Sequence, residues 1–132
     1  MDKKELYKEA CLARKAAYAP YSSISVGAAL LTASGKIYTG ANIENAAYSP
    51  SVCAERVALF KAINDGERDF IAIAVAGGKT DSEPTKSFAP CGVCRQVMTE
   101  FCKKDFRIIL GDDEEIAFSD LLPYSFNKDK LK

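Results

Sequence analysis

The segment from Phe70 to Ala76 is apolar without a break, and it constrains the fold of this chain more than any other feature. A strand with one face in water alternates between polar and apolar residues, whereas an unbroken apolar run of this length is typical of a strand covered on both faces. Covering both faces of a sheet requires a layer of helices on each side. The segment therefore predicts a central strand in a layered α/β fold.

Helix and strand patterns alternate along the rest of the chain. The predicted elements, in chain order, are a helix over about 2–18, strands over 24–30 and 37–40, a helix over 53–64, a strand over 70–76, a helix over 90–103, strands over 107–110 and 116–118, and a helical turn over 119–122. This order predicts a three-layer α/β/α sandwich around one mixed sheet of about five strands. Because the 132 residues contain no linker or internal repeat, we expect a single catalytic domain over residues 1–132.

Local signals mark the ends of the predicted helices. Asp2 and Glu5 have the spacing of a capping box at the start of the first helix. Ser49 or Ser51 is expected to cap the second helix, and Gly66 suits the left-handed position just after it. The predicted apolar stripe of the third helix consists of Val93, Val97 and Phe101.

The composition argues against partners held by bulk charge. Lysine plus arginine equal aspartate plus glutamate at 18 each, so neither nucleic acid nor an anionic membrane, which attract basic proteins, is an expected partner. No stretch has the apolar length of a bilayer span, and the N-terminus lacks the apolar run of a signal peptide. Five cysteines, an odd number, do not indicate a disulfide framework, and we expect a cytoplasmic protein.

Five cysteines and no histidine limit the chemistry open to this chain. Without histidine, a Ser-His triad and a His-ligated metal are excluded, so thiolates are the natural ligands for a transition metal. Cys91 and Cys94 begin one predicted helix and Cys53 begins another, positions at which the helix dipole favours thiolates. Three thiolates suit zinc and leave the fourth tetrahedral position free, as a catalytic zinc requires.

Other interpretations of the cysteines are open from the residues alone. A lone Cys-x-x-Cys is also typical of a redox dithiol or of half a structural zinc site, but no second pair accompanies this one. A closed four-cysteine site requires Cys11 or Cys102, and both lie among apolar neighbours, where a cysteine is usually a small buried hydrophobe. We therefore predict an open catalytic zinc site.

Three charged residues lie next to the cysteines in sequence. Glu55 follows Cys53 by two residues and can serve as the acid–base group for water at the open zinc position; an ordinary exposed glutamate is the alternative. Arg56 and Arg95 can donate to the thiolate sulfurs and offset the net negative charge of three thiolates on one zinc ion. We favour this role for Arg56, whereas Arg95 suits a surface position equally well.

Five motifs are spread over most of the chain. They are Tyr18-Ala19-Pro20-Tyr21-Ser22, Val26-Gly27-Ala28-Ala29, Asn42-Ile43-Glu44-Asn45-Ala46-Ala47-Tyr48, Cys53-Ala54-Glu55-Arg56 and Pro90-Cys91-Gly92-Val93-Cys94-Arg95-Gln96. Together these motifs closely resemble the zinc-dependent cytidine deaminases, in particular the short, homotetrameric nucleoside deaminases that use three cysteine ligands. The resemblance implies a homotetramer with active sites shared between subunits.

The resemblance also implies the reaction. Zinc on the three cysteines activates a water that attacks C4 of cytosine, and Glu55 carries protons to ring N3 and to the leaving amino group, a chemistry described for zinc deaminases as a group. The chain is thereby identified as a cytidine and deoxycytidine aminohydrolase of pyrimidine salvage. The alternatives are a deaminase of a modified cytosine nucleoside or nucleoside antibiotic, and a non-catalytic binding module stabilised by zinc.

Substrate-binding residues follow from the same resemblance. It implies that Asn42 and Glu44 bind the ribose hydroxyls, although Asn-x-Glu in a polar loop is by itself more often a turn. The backbone N–H of Ala54 is implied to meet the base carbonyl. The residues implied to line sites shared between subunits are Ala46, Tyr48 and Phe126. Ile24 departs from the family, which often has a phenylalanine against the pyrimidine, and Ala89 replaces a common serine.

Overall fold

In the computed structural model, which describes residues 1–131, the chain folds into a five-stranded mixed sheet with helices on both faces. The strands are β1 (Ile24–Thr32), β2 (Ile37–Ala41), β3 (Phe70–Lys79), β4 (Arg107–Ile109) and β5 (Glu115–Ala117). The helices are α1 (Lys3–Ala13), α2 (Ala54–Asn64), α3 (Gly92–Phe101) and α4 (Phe118–Leu121), with short 3-10 helices at Arg14–Ala16 and Lys128–Leu131. The predicted order of elements and the three-layer class are confirmed, and residue 132 of the predicted domain lies outside the described residues.

Three strands of the sheet run in the same direction. The strand order is β2-β1-β3-β4-β5, and β1 is antiparallel to both of its neighbours, with Gly27 opposite Ala41 on one side and Ala76 on the other. β3 and β4 are parallel, and β5 returns antiparallel to β4. Because β2 and β3 point the same way, their carboxyl ends lie at the same edge of the sheet. The helices that follow these strands, α2 and α3, begin at that edge.

The two faces of the sheet differ in the size of the side chains they bury. On one face, α1 packs Leu6 and Ala10 against the alanines of β1 and β3. On the other face, α2 and α3, the latter through Met98, cover larger side chains of the strands, among them Leu30, Ile73 and Val75. The main core therefore lies on the face that carries α2 and α3.

β3 is the strand that the apolar run predicts. It is buried without interruption from Ala72 to Gly78, so the prediction of a strand covered on both faces is confirmed there. Near the start of the strand, 47% of the Ile71 surface is exposed. The strand continues to Lys79, beyond the predicted end at Ala76, because Lys79 pairs with Ile24 at the start of β1. Within residues 1–131, no helix combines the length and the apolar character needed to cross a membrane.

The first helix has the predicted cap but ends early. Asp2 Oδ1 accepts a hydrogen bond of 2.9 Å from the backbone N–H of Glu5, which confirms this cap. The α-helix ends at Ala13, and a 3-10 turn continues it only to Ala16. The predicted end near Tyr18 is therefore too late.

The second helix is capped by a different residue from those predicted. Its N-cap is Cys53, so the prediction of Ser49 or Ser51 is wrong. The Ser51 hydroxyl instead accepts from the backbone N–H of Asn45 at 3.0 Å, within the loop that precedes the helix. Gly66 follows the helix with a φ of 94°, the predicted left-handed conformation.

The buried side of α3 also differs from the predicted stripe. Cys94 and Met98 are buried, whereas 58% of the Val93 surface is exposed. Val97 and Phe101 are partly buried at the edge of the core. The helix is turned so that Cys94 faces the core, and this rotation carries the preceding residue outward.

α2 lies against β2 at Gly40, where no side chain fits. A Cβ on Gly40 would lie 2.5 Å from the carbonyl oxygen of Ala54 and 2.6 Å from the backbone nitrogen of Ala58. Ala54 is the first residue of α2. The absence of a side chain at Gly40 thus allows the first turn of the helix to approach the sheet.

We expect Gly40→Ala to destabilise the fold by about 1–3 kcal/mol, because the added methyl group overlaps backbone atoms that cannot move separately. Gly111→Ala is the matched control, since a Cβ there meets only the side chain of Glu114 at 3.8 Å. The control should stay within about 0.5 kcal/mol of the wild type in urea unfolding. Equal stability of the two variants would contradict the close contact at Gly40.

Candidate metal centre and active site

Three cysteine sulfurs meet where α2 and α3 begin. Cys53 is the N-cap of α2, Cys91 is the N-cap of α3, and Cys94 lies in the first turn of α3. The Sγ of Cys91 is 3.6 Å from that of Cys53 and 3.6 Å from that of Cys94, and all three sulfurs lie within 4.8 Å of one another. The structure thus brings together the three predicted ligands. Cys11 and Cys102 lie outside this group.

The spacing of the sulfurs fits a zinc ion. With Zn–S bonds of about 2.3 Å, two sulfurs on one tetrahedral ion lie about 3.8 Å apart. The two separations of 3.6 Å are close to that value. All three donors are soft sulfurs at helix N-termini, where thiolate charge is favoured. Three protein ligands is the number found in catalytic zinc sites.

Hydrogen bonds within the cluster favour a thiolate at Cys53. A hydrogen bond with Cys94, together with bonds from Arg56 and Cys91, lowers the pKa of Cys53 to about 5. The bond with Cys53, together with burial, raises the pKa of Cys94. Arg56 Nη2 lies 3.4 Å from the Sγ of Cys53, which is the arginine–sulfur contact expected from the sequence. The cluster therefore carries negative charge at neutral pH and attracts a cation.

Glu55 lies in the first turn of α2 and is buried beside the cluster. Only 4% of its surface is exposed, and its Oε1 has no hydrogen-bond partner among the described residues. Burial raises the pKa of Glu55 to about 7, and the charge of Cys53 adds to this effect. A carboxyl group that can be charged or neutral near pH 7 is suited to proton transfer. The alternative of an ordinary exposed glutamate is wrong.

Arg95 does not make the sulfur contact considered for it. Its Nε donates to the carbonyl of Pro90 at 2.8 Å, and its Nη1 donates to the carbonyl of Leu121 at 2.9 Å. These two bonds join the turn before Cys91 to the end of α4. The Arg95 side chain therefore supports the start of α3 through the backbone and not through a sulfur.

Asn42 is bound to the start of β1 through both ends of its side-chain amide. Its Oδ1 accepts from the backbone N–H of Val26 at 2.8 Å, and its Nδ2 donates to the carbonyl of Ile24 at 2.8 Å. The residue is 9% exposed. Sequence reasoning did not find these bonds, because they depend on how β1 and β2 pair.

Glu44 lies at the surface beside a groove. Its carboxylate accepts from the backbone N–H groups of Tyr21 at 2.9 Å and Ser22 at 3.1 Å, and from the Ser22 hydroxyl. These bonds lower the pKa of Glu44, and the bond from the Ser22 hydroxyl has the largest effect. The groove has a volume of about 300 Å³ and is lined by Tyr21, Ser22, Glu44, Asn45, Tyr48 and Ser51. The contact between Ser22 and Glu44 joins residues 22 positions apart, so no local sequence pattern indicates it.

The remaining predicted substrate residues fall into a buried and an exposed set. Ala54 is fully buried at the start of α2, where the first N–H groups of a helix have no acceptor within the helix. Ile24 is half-buried and packs against the same core cluster as Ala54. The exposed set is Ala46, Tyr48 and Phe126. The Phe126 carbonyl accepts from Gln96 Nε2 at 2.8 Å, which ties the C-terminal segment to α3.

Both the sequence and the fold match known proteins over most of the chain. Residues 1–110 match the family model described as the cytidine and deoxycytidylate deaminase zinc-binding region. The chain belongs to the cytidine and deoxycytidylate deaminase family. The matched region contains all three clustered cysteines, so the zinc cofactor expected from the sequence is confirmed by the family and by the sulfur geometry together.

Individual deaminases of this family are similar along their whole length. The cytidine deaminase of Halalkalibacterium halodurans is 48% identical, over 99% of this chain and 98% of that protein. The cytidine deaminase of Sporosarcina psychrophila is 50% identical, over 99% and 96% of the two chains. The crystal structure of cytidine deaminase from Burkholderia pseudomallei matches with a TM-score of 0.86 at 44% identity, covering 96% of this chain and 100% of that one. The resemblance of the motifs to the cytidine deaminases is confirmed.

We expect zinc to be lost when a clustered cysteine is replaced. Cys53→Ala, Cys91→Ala and Cys94→Ala each leave two thiolates, which is too few to hold zinc firmly. Cys11→Ala and Cys102→Ala are the matched controls, because both thiols are free and lie outside the cluster. Plasma mass spectrometry of the purified variants measures the zinc-to-chain ratio. Equal zinc loss in a control variant would show that the ligand set is wrong.

Proposed function

We propose that this chain is a zinc-dependent aminohydrolase that converts cytidine and deoxycytidine to uridine and deoxyuridine with release of ammonia. The observation that carries the proposal is the buried carboxyl group of Glu55, which has an unpartnered oxygen beside three convergent sulfurs. Relatives with 48% and 50% identity over nearly the whole chain are named cytidine deaminase. Their names favour cytidine over a modified cytosine nucleoside, and they support a place in pyrimidine salvage.

Glu55 performs the proton transfers of the proposed reaction. Cys53, Cys91 and Cys94 would hold zinc, which when bound supplies a Lewis acid that lowers the pKa of water. Glu55 accepts a proton from the attacking water and donates it to ring N3, which makes C4 electrophilic. Once the water oxygen has added to C4, Glu55 transfers the second proton to the exocyclic amino group. Ammonia then leaves, and a carbonyl group remains at C4.

The surroundings of Glu55 support this role. Burial raises the pKa of the Glu55 carboxyl group to about 7, which favours uptake and release of a proton near neutral pH. Three thiolates around one metal ion carry an excess of negative charge, which opposes deprotonation of water. Arg56 donates to Cys53 and reduces that excess.

The nucleoside is held by residues that precede or begin α2. Glu44 and Asn42 contact the ribose hydroxyls, and the Ser22 hydroxyl keeps the Glu44 carboxylate ionised as an acceptor. The N–H of Ala54, in the first turn of α2, donates to the base carbonyl. Ile24 packs against the base with an aliphatic side chain in place of an aromatic ring.

Neighbouring subunits complete the pocket in a homotetramer. In the single chain, 80% of the Tyr48 surface and 58% of the Phe126 surface are exposed. A small-molecule pocket usually covers most of its ligand, and exposed aromatic residues are enriched at protein interfaces. Residues 1–132 thus form one catalytic domain per subunit. The five free thiols suit the reducing cytoplasm.

A panel of cytosine nucleosides tests the function. We expect cytidine and deoxycytidine to lose the cytosine absorbance with stoichiometric release of ammonia. Glu55→Gln should keep its zinc but lose activity by at least about 10²–10⁴-fold, because an amide cannot relay protons. Glu100→Gln, at an exposed position of α3, is the matched control and should stay near wild-type activity.

Two outcomes would contradict the proposal. Near-normal turnover by zinc-loaded Glu55→Gln would remove the proton-transfer step assigned to that residue. A zinc-loaded wild type that binds cytidine without releasing ammonia would be a binding module and not an enzyme.

We expect light scattering to report a tetramer and Phe126→Ala to raise KM. Loss of an aromatic contact costs about 1 kcal/mol of binding free energy in addition to the lost buried area, which corresponds to a roughly fivefold rise in KM. Ile24→Phe, which restores an aromatic face, should lower KM or leave it unchanged. Leu12→Ala is the control, because Leu12 is exposed on α1, across the sheet from α2 and α3. A fully active monomer would refute the shared site, and loss of cytidine binding in Ile24→Phe would favour a bulkier substrate.

A further inference from the structure

We propose that Asn42 is a positioning residue. Where the chain leaves β2, its side-chain oxygen takes the place of its main-chain carbonyl as a hydrogen-bond acceptor, and this change of acceptor directs the backbone so that Glu44 lies at the sugar site. The sugar contact of Glu44 rests on the proposed function. The part played by Asn42 in placing Glu44 rests on hydrogen bonds within the chain. The two parts can therefore be tested separately.

The paired ladder between β1 and β2 ends one step before Asn42. The last paired residues are Gly27 and Ala41, so Val26 and Asn42 would form the next pair. In an antiparallel ladder every second pair exchanges two main-chain hydrogen bonds, and Val26 and Asn42 are at the position of such a pair. Asn42 N donates to the carbonyl of Val26 at 3.2 Å, which is one of the two. The N–H of Val26, however, donates to Asn42 Oδ1 at 2.8 Å and not to the main-chain carbonyl.

The main-chain carbonyl of Asn42 is turned to another part of the chain. It accepts from the backbone N–H of Tyr18 at 2.9 Å, and the N–H of Glu44 donates to the Tyr18 carbonyl at 2.9 Å. Residues 42–44 thus leave the sheet and run alongside Tyr18, which forms a parallel bridge with Ile43. Because the side chain of Asn42 satisfies Val26, the backbone can make this change of partner without leaving a buried N–H unpaired.

The new direction brings Glu44 to the turn after Tyr18. There its carboxylate accepts from the N–H groups of Tyr21 and Ser22 and from the Ser22 hydroxyl. The Ser22 Oγ also accepts from the N–H of Ile24 at 3.0 Å. The Ile24 carbonyl in turn accepts from Asn42 Nδ2 at 2.8 Å. A series of three hydrogen bonds therefore links the side chain of Asn42 to that of Glu44 through Ile24 and Ser22.

The orientation of the Asn42 amide is determined by its partners. The N–H of Val26 can only donate and the carbonyl of Ile24 can only accept, so Oδ1 and Nδ2 cannot be exchanged. After these two bonds, the amide retains one N–H and one lone pair. Glu44 accepts two bonds at Oε1 and one at Oε2, so one acceptor site remains, on Oε2. Beyond any contact of its free N–H with the sugar, Asn42 acts on sugar binding through the position of Glu44.

Amide hydrogen exchange in the substrate-free, zinc-loaded protein tests the positioning directly. Asn42→Leu removes both hydrogen-bonding atoms at similar size, and exchange over residues 18–24 should accelerate about tenfold or more, because local opening becomes easier. Asn64→Leu, at an exposed position at the end of α2, is the matched control and should not change this segment. Unchanged exchange in Asn42→Leu would overturn the proposal.

A second variant covers the case in which Asn42→Leu does not fold. Asn42→Asp keeps an acceptor for the N–H of Val26 but cannot donate to the carbonyl of Ile24. A smaller acceleration over the same segment is expected. No acceleration in this variant would overturn the link through Ile24.

A double-mutant cycle with Glu44→Gln tests the consequence for binding. Asn42→Leu should raise KM for cytidine about tenfold with kcat within about twofold, and by less than about threefold in the Glu44→Gln background, because residues that act as a unit are not additive. Fully additive effects would show that Asn42 acts on sugar binding independently of Glu44 and would overturn the proposal.

Substrate analogues separate sugar binding from general loss of structure. With 2′,3′-dideoxycytidine, which lacks the ribose hydroxyls, Asn42→Leu should leave KM unchanged. An equal rise in KM with this analogue would overturn the route through Glu44. A wild type that does not deaminate cytidine would refute the proposed function, while the exchange experiment would still decide whether Asn42 holds Glu44 in place.

Discussion

The common direction of β2 and β3 is the constraint on which the site depends. β1 is antiparallel to both strands, so their carboxyl ends reach one edge of the sheet and the helices after them begin side by side. A helix N-terminus presents free N–H groups and the positive end of the helix dipole. Two such ends meet here, with Cys53 and Cys91 as their caps. The same cysteine spacings on helices that began at opposite edges would form no metal site.

Close packing holds together groups that repel one another. Glu55 is buried beside Cys53, and two acidic groups in one low-dielectric region oppose each other's ionisation. Arg56 follows Glu55 directly in sequence and donates to the sulfur of Cys53, three residues before it. The first turn of α2, which carries these residues, packs against the sheet at Gly40. There the helix backbone occupies the space that a side chain on residue 40 would need. The packing of the helix against the sheet thus keeps Glu55 and Cys53 close together although their negative charges repel each other.

The metal-binding half of the site could be predicted from the sequence better than the half proposed to bind the sugar. Cys-x-x-Cys and Cys-x-Glu act within single helical turns, so their spacing alone indicates their geometry, and the apolar run of β3 indicates a covered strand. The partners of Arg95 and Asn42 are backbone groups brought close by strand pairing and chain reversal, which no local pattern records. Val93 was misplaced for a related reason, since the rotation of α3 follows the burial of Cys94 and Met98 and not the strongest apolar spacing.

β1 connects the two halves. Its first residues hold the amide of Asn42, and its next residues, Val26 and Ala28, pack in the same core cluster as Ala54 of the metal-binding helix. In the proposed complex a nucleoside reaches Glu55 with its base and Glu44 with its sugar, so the distance between these carboxylates must match the ligand. A strand is stiffer than a loop, and a spacing held by β1 is therefore better defined than one set by the segments that carry Tyr48 and Phe126. Those exposed segments can supply cover for the ligand. In the proposed complex, a substitution of Ile24 changes the base contact without replacing a metal ligand.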